Sequence, residues 1–196
     1  QPDTLHSILA NAELPKPTAT LSDGTQVKLS QATYEKYRQS ANRADRKLVF
    51  DEYWGAWKKF EGTAGSMLTT QVMGDHFTAQ SRKFATALQA AQFPDNMPDS
   101  VYRTLVAEAN ASLPTLHRYL KMRKRLLGIT DDLHYYDNYP PMFKLDAQPK
   151  FDVPESERIT LEALQPLGDD YLNLMRKGFG SSWMSVYPAD GKKLGA

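Results

Sequence analysis

Apolar residues along this chain recur mostly every three to four positions, the period of helices with one buried face. Leu5, Ile8 and Leu9 share such a face, so residues 4–12 read as a short helix. Over residues 15–30 the period shortens and turn residues appear. Thr20-Leu21 and Gln26 to Leu29 flank Ser22-Asp23-Gly24, the signature of a β-hairpin. Ser30 is placed to cap a helix through Tyr34 and Tyr37, ending near Ala41, and Asn42 to cap the next. From there Phe50, Tyr53, Trp54, Trp57, Ala64, Leu68 and Val72 fall at helical intervals, interrupted by Gly55, Gly62, Gly65 and Gly74. Two long helices are expected, meeting or bending near residues 62–65. The small residues would let neighbouring helices approach closely, since glycine inside a helix is otherwise unfavourable by up to about 1 kcal/mol.

Pro94, Asn96 and Pro98 punctuate a boundary, with Pro98 in the first turn of the next helix. Val101, Leu105 and Ala109 lead towards a basic amphipathic helix that opens the stretch 112–139. Leu113, Leu116, Leu120 and Leu127 lie on one stripe there, and Arg118, Lys121 and Arg125 on another face. Pro114 suits a first helical turn, which implies a break or kink after Ala111. Gly128 is positioned as a left-handed C-cap. His134, Tyr135, Tyr136 and Tyr139 then mix aromatic and polar character at strand-like or turn-like spacing, closed by Pro140-Pro141. Beyond a connector at 144–160, two short helices are separated by Pro166-Leu167-Gly168. The first carries Ile159, Leu161 and Leu164, and the second Tyr171, Leu172, Leu174 and Met175. Lys177-Gly178 supplies a basic last turn and a C-cap. Residues 183–188 read as a strand, Asp190-Gly191 as a turn, and 192–196 as the start of a returning strand. The fold class is mainly α: a multi-helix bundle with a small hairpin near the N-terminus and a short β-ribbon at the C-terminus.

Composition narrows the function. With 196 residues, a net charge of +1 and 41% hydrophobic residues, the chain suffices for one or two globular domains. A near-neutral balance argues against a dedicated nucleic-acid binder, which needs a strong basic excess. No apolar run approaches the roughly 20 residues that span a bilayer. The first residues lack the basic and apolar regions of a signal peptide. The absence of cysteine excludes disulfides, thiol nucleophiles and thiolate metal ligands.

Catalytic patterns are missing. His6, His76, His117 and His134 are the only histidines; no H-E-x-x-H occurs, and no two stand at the i, i+4 spacing that points both imidazoles at one metal. Neither a G-x-S-x-G elbow nor a phosphate-binding loop is present. Asp131-Asp132 and Asp169-Asp170 are adjacent pairs beside turns and helix starts, where carboxylates more often serve as caps than as acid–base dyads. His117 and Arg118 read as surface or packing groups and His134 as a hydrogen-bonded structural residue. Tyr135, Tyr136, Tyr139 and Tyr187 read as core or interface residues with a polar tip. Arg118, Lys121 and Arg125 form an ordinary solvated face.

The ungapped run LPTLHRYLKMRKRLLGI-DDLHYYDNY resembles the oligoendopeptidase F family, a branch of the thimet-oligopeptidase-like zinc metallopeptidases. DGTQVKLS, the Tyr34-x-x-Tyr37 helix, NRADRKLVFDEYW and FTAQSRKFATALQAAQF resemble the helical domain that precedes the catalytic domain there. The resemblance covers nearly the whole chain and is weakest at 144–160. It implies a helical N-terminal domain over 1–95 and the beginning of the zinc-peptidase catalytic domain over 96–196, ending before the zinc-binding helix. The parent would be a zinc metalloendopeptidase cleaving internal bonds of short peptides, with this part forming the helical lobe and some of the substrate channel and inactive alone. Implied partners are short peptides and the remaining C-terminal catalytic half, with no nucleic acid or membrane. Zinc belongs to the parent, and none is expected on this part. No catalytic or metal-binding residue carries over. An edge strand that holds the substrate main chain would fall at Gly195 and Ala196, with Lys192 and Lys193 at its turn. The cytoplasm is the expected compartment, and the periplasm the alternative if a signal peptide has been removed. The competing class is a non-enzymatic helical module that binds a partner through an exposed apolar face.

Overall fold

A computed structural model describes residues 2–143 and 151–187, which are mainly helical. Helix α1 (Pro2–Ile8) runs on into a π-helical turn at Leu9–Glu13, so the first helix occupies the expected place with a wider last turn. The hairpin comes next, with β1 (Thr18–Thr20) antiparallel to β2 (Gln26–Lys28). Ala19 pairs with Val27, and both point inward while their neighbours face solvent. Gly24 closes the turn at φ +84°, a backbone conformation that favours glycine.

Ser30 caps α2 (Gln31–Tyr37) through a reciprocal box with Thr33. Asn42 caps α3 (Arg43–Lys58), its Oδ1 accepting from the Ala44 N–H. These caps aim both helices at the inner face of the hairpin. Ala19, Leu21, Val27, Leu29, Tyr34, Val49 and Tyr53 form the core there, with Tyr37, Leu48, Phe50 and Trp57 around it. Tyr34 and Tyr53 stack with ring centroids 4.3 Å apart, and the Trp54 indole N–H donates to the Tyr34 hydroxyl at 3.1 Å. Buried phenols and indoles need such partners.

The expected pair of long helices is present, but the break falls at Lys59 and Phe60, ahead of the glycines. Gly62, Gly65 and Gly74 therefore lie inside α4 (Glu61–Ser81). A methyl group added at any of them would meet nothing within 4 Å, so the close-packing reading is corrected. The apolar stripe also does not continue across the break: Leu68 and Val72 are mostly exposed, while Met67 and Ala79 turn inward. A two-residue interruption resets the helical phase, so α4 presents a different face.

Helix α5 (Ala87–Gln92) is capped by Thr86 and continues as a 3-10 turn, Phe93–Asp95, to Asn96 in the left-handed region. Pro98 is the N-cap of α6 (Asp99–Leu126), one position before the first turn. This helix is 28 residues long and continuous, with Pro114 inside it, so the expected break after Ala111 is corrected. Proline removes one N–H from the ladder; the runs of Ala, Leu, Arg and Lys on either side supply enough bonds to carry the helix through. Gly128, at φ +66°, ends it as expected. The Gly128 N–H donates to the Arg125 carbonyl and the Ile129 N–H to the Lys124 carbonyl, both at 3.1 Å, the paired bonds of a Schellman cap. The tyrosine-rich segment then forms a 3-10 turn at Tyr135–Asp137 rather than a strand.

Chain contacts divide the molecule into two units, one reaching to Phe143 and one from Lys144 to Leu194. The second contains α7 (Val153–Ala163), capped by Asp152, a 3-10 turn at Gln165–Leu167, and α8 (Asp169–Phe179). Gly178 lies within α8 and Gly180 takes the C-cap, two residues later than expected. A Cβ at Gly178 would stand 3.3 Å from the Trp183 ring. Trp183 thus folds back onto the end of α8, and residues 183–187 form a turn and irregular backbone instead of the expected strand. The turn and returning strand expected at 190–196 lie outside the described residues.

Candidate functional site

The densest polar constellation among the described residues gathers around Asp137, whose side chain has no exposed surface. The element that places it is the 3-10 turn after α6, where the Asp137 N–H closes the turn onto the His134 carbonyl at 2.9 Å. One carboxylate oxygen, Oδ1, accepts from Arg43 Nε and Arg46 Nη2, each at 3.0 Å. The other, Oδ2, accepts from Arg43 Nη2 and the His134 backbone N–H, also at 3.0 Å. Arg43 reaches further, to Asp131 Oδ1 at 2.6 Å and the Asp132 carbonyl at 3.0 Å.

The remaining guanidinium groups hold main chain. Arg46 donates to the carbonyls of Ser40 (2.8 Å), Ala41 (3.1 Å) and Tyr136 (3.1 Å). Arg123, also buried, rises from the last turn of α6 and donates Nε to the Asp137 carbonyl at 2.8 Å and Nη2 to the Pro140 carbonyl. One carboxylate thus ties the start of α3 to the turn after α6, and Arg123 ties that turn back to α6. Burial pushes the Asp137 carboxyl up, but the Arg43 guanidinium, the His134 N–H and Arg46 outweigh it and hold the group below the usual carboxylate range. Asp131 is lowered as well, chiefly by its bond to Arg43.

A smaller knot joins the hairpin to the same helix. Asp45, buried in the first turn of α3, accepts from the Ser22 N–H at 2.8 Å and the Ser22 hydroxyl at 2.9 Å. Aromatic groups cover the outside of the larger cluster: His134 stacks on Tyr136 at 5.1 Å, Phe50 lies 5.8 Å from both Tyr135 and Tyr136, and Arg38 sits 3.9 Å over the Tyr139 ring.

The chemistry available here is structural. Every carboxylate oxygen of Asp137 is occupied by two donors, so none is left for a substrate proton or a metal. Among the described residues no group of three His, Cys, Asp or Glu could hold a metal ion. An open concavity of about 570 Å³ lies at the end of α5, lined by Phe84, Gln89, Phe93, Asn96, Met97, Pro98 and Asp99, and it brings together no nucleophile and base.

Of the residues singled out in the sequence, His117, Arg118, Lys121 and Arg125 are exposed on α6, as a solvated face should be. His134, Tyr136 and Tyr139 join the cluster's surroundings; Tyr135 is half exposed and pairs its hydroxyl with that of Tyr139 at 2.7 Å. Gly195 and Ala196, expected at the substrate strand, lie outside the described residues, with Lys192 and Lys193. Sequence reasoning passes over Arg43, Arg46, Arg123 and Asp137. Their signal is nonetheless there: Arg46 shares the stripe of Val49, Phe50 and Tyr53, and Arg123 sits between Leu120 and Leu127 on the stripe of α6. An arginine at a core position of an amphipathic helix asks for a buried acceptor.

Comparison with known proteins agrees with this architecture. The chain is 34% identical over 190 residues to the oligopeptidase PepF of Bacillus subtilis, an alignment covering 97% of this chain and 28% of that protein. It is 31% identical over 195 residues to an oligoendopeptidase F homolog of Lactococcus lactis subsp. lactis, covering all of this chain and 32% of the relative. The crystal structure of oligoendopeptidase-F from Enterococcus faecium superposes with a TM-score of 0.69 at 35% identity, over 91% of this chain and 33% of that one. The chain therefore spans about a third of the length of the curated relatives it matches. Residues 36–196 match the model of peptidase family M3, and the chain belongs to that family.

Proposed function

We propose that this chain is part of a zinc metalloendopeptidase that hydrolyses internal bonds of short peptides. In this reading 1–95 are its N-terminal helical domain and 96–196 the opening of its catalytic domain. The observation that carries the reading is the family match over 36–196, together with relatives named as oligopeptidases. The zinc would activate water and polarise the scissile carbonyl. The residues present do not fit that ion: the 196 residues contain no H-E-x-x-H, and the described ones hold no ligand trio. No step of the reaction is therefore assigned to this chain. Its contribution is a helical lobe, tied together at Asp137, that walls the substrate channel, with Gly195 and Ala196 offered as the residues that meet the peptide main chain.

The test is turnover of an internally quenched fluorogenic peptide by the purified 196-residue chain, with and without added zinc. No turnover is expected in either case. Cleavage by a sample shown by mass spectrometry to hold only this chain overturns the reading.

A further inference from the structure

The longest helix of the molecule carries an apolar stripe that its own unit covers only at one end. Tyr102, Leu105, Val106, Leu113 and Leu116 fall within about 50° of one direction on α6, at 100° per residue, as do Leu120 and Leu127. At the C-terminal end Leu120 and Leu127 are half-buried and Arg123, on the edge of that stripe, is buried. There the polypeptide beyond the helix folds back on it, through the bonds from Arg123 to Asp137 and Pro140. Towards the N-terminal end the stripe is bare: Tyr102 is 48% exposed, Leu105 65%, Val106 44%, Leu113 41% and Leu116 48%. These five side chains present on the order of 400 Å² of mostly apolar surface, within the range of the largest patch a monomer usually exposes and often a functional one. The helix is also about 42 Å long, at 1.5 Å per residue, and amphipathic along that length. A solvated helix of this length has no reason to keep one face apolar.

We infer that this stripe is the seat for the remainder of a full-length family M3 peptidase, an inference that rests on reading the chain as part of such an enzyme. Two observations choose that occupant over a second copy of the chain. The first is continuity: chain lying C-terminal to α6 already covers one end of the stripe, and further chain of the same protein extends that cover along it. The second is proportion. In the Enterococcus faecium structure the same fold makes up 33% of the chain, so the other two-thirds of that chain accompanies it there. The face opposite the stripe, with Arg103, Arg118, Lys121 and Arg125, stays in water.

The experiment co-expresses the tagged 196-residue chain with the part of Bacillus subtilis PepF that lies beyond the aligned region and measures capture. The variants are Leu105→Glu/Leu116→Glu on the stripe and Arg103→Glu on the opposite face. Both should melt with the parent chain, because these side chains make little contact within it. The stripe variant is expected to lose capture at least tenfold and to bind less of an apolar fluorescent dye, whereas Arg103→Glu matches wild type in both. Equal capture by all three chains overturns the inference, as does failure of the wild-type chain to be captured. A self-associated chain dispersed by the stripe variant would make the occupant a second copy, which also overturns it. Peptide cleavage by the captured pair is read separately. A stripe-dependent pair without cleavage leaves the seat standing and removes the peptidase reading; cleavage indifferent to the stripe does the reverse.

Discussion

Replacing Asp137 by Asn preserves the shape of the side chain and removes its charge, which isolates what the buried anion contributes. In the native chain its two oxygens receive three guanidinium bonds and one backbone N–H, all at 3.0 Å. Arg43 is part-exposed and keeps Asp131 and water as alternatives. Arg46 has neither: its side chain is 4% exposed and Asp137 is its only ion-pair partner among the described residues. Removing one member of a buried pair costs about 3–5 kcal/mol, mostly from the charge left behind. Because Arg46 retains three carbonyl acceptors, the lower figure of about 3 kcal/mol applies. For a chain of this size that lowers the melting temperature by about 6–12 °C. Far-ultraviolet circular dichroism melts and urea titrations of wild type, D137N and D131N would measure it. D131N removes an exposed anion and is expected to melt with wild type. If D137N melts no lower than D131N, the clasp does not hold the unit together and the reasoning fails. A D137N/R46M double variant should recover much of the loss, since it removes the stranded cation.

Acid titration should report the same carboxyl. Its folded value lies below the ordinary carboxylate value of about 3.9, so its contribution is complete above that pH and disappears as pH falls through the lowered value. Wild type should therefore lose stability over that acid window more steeply than D137N; parallel curves would show that Asp137 does not titrate as described. Gly65→Ala and Gly74→Ala should each raise stability by about 0.5–1 kcal/mol, because α4 has open space at both sites and glycine is costly in a helix. A loss in the urea midpoint would restore the close-packing reading. Gly128→Ala should cost about 1–2 kcal/mol, the penalty of a Cβ in the left-handed region, and an unchanged midpoint would mean the Schellman cap is dispensable.

Local features of this fold are legible in the chain because local chemistry causes them. Ser30 and Asn42 cap helices since their side-chain oxygens satisfy N–H groups a few residues on. Ser22-Asp23-Gly24 turns the hairpin and Gly128 ends α6 because only short-range sterics are involved. Errors arise where the deciding partner is remote or where phase is lost. Pro114 reads as a break, but one missing bond does not end a helix with this many good helix formers. The stripe from Phe50 to Val72 spans an interruption at Lys59 and Phe60 that rotates everything after it. The β-propensity of Trp183 points to a strand, and packing on Gly178 wins instead.

By itself the sequence determined the helical class, the hairpin, the caps at Ser30, Asn42 and Gly128, and the family, all encoded in residues close together or in long ungapped runs. The absence of H-E-x-x-H was likewise a fact of sequence alone. Only the tertiary structure decided that Asp137, one polar residue among tyrosines, is the buried anchor of three arginines. Two of its partners, Arg43 and Arg46, lie about ninety positions away, and spacing along the chain carries no record of which distant charge will be left without water. The structure also decided which half of the α6 stripe is covered. A helix's period shows that it has an apolar face, but what lies against that face depends on where the rest of the chain goes.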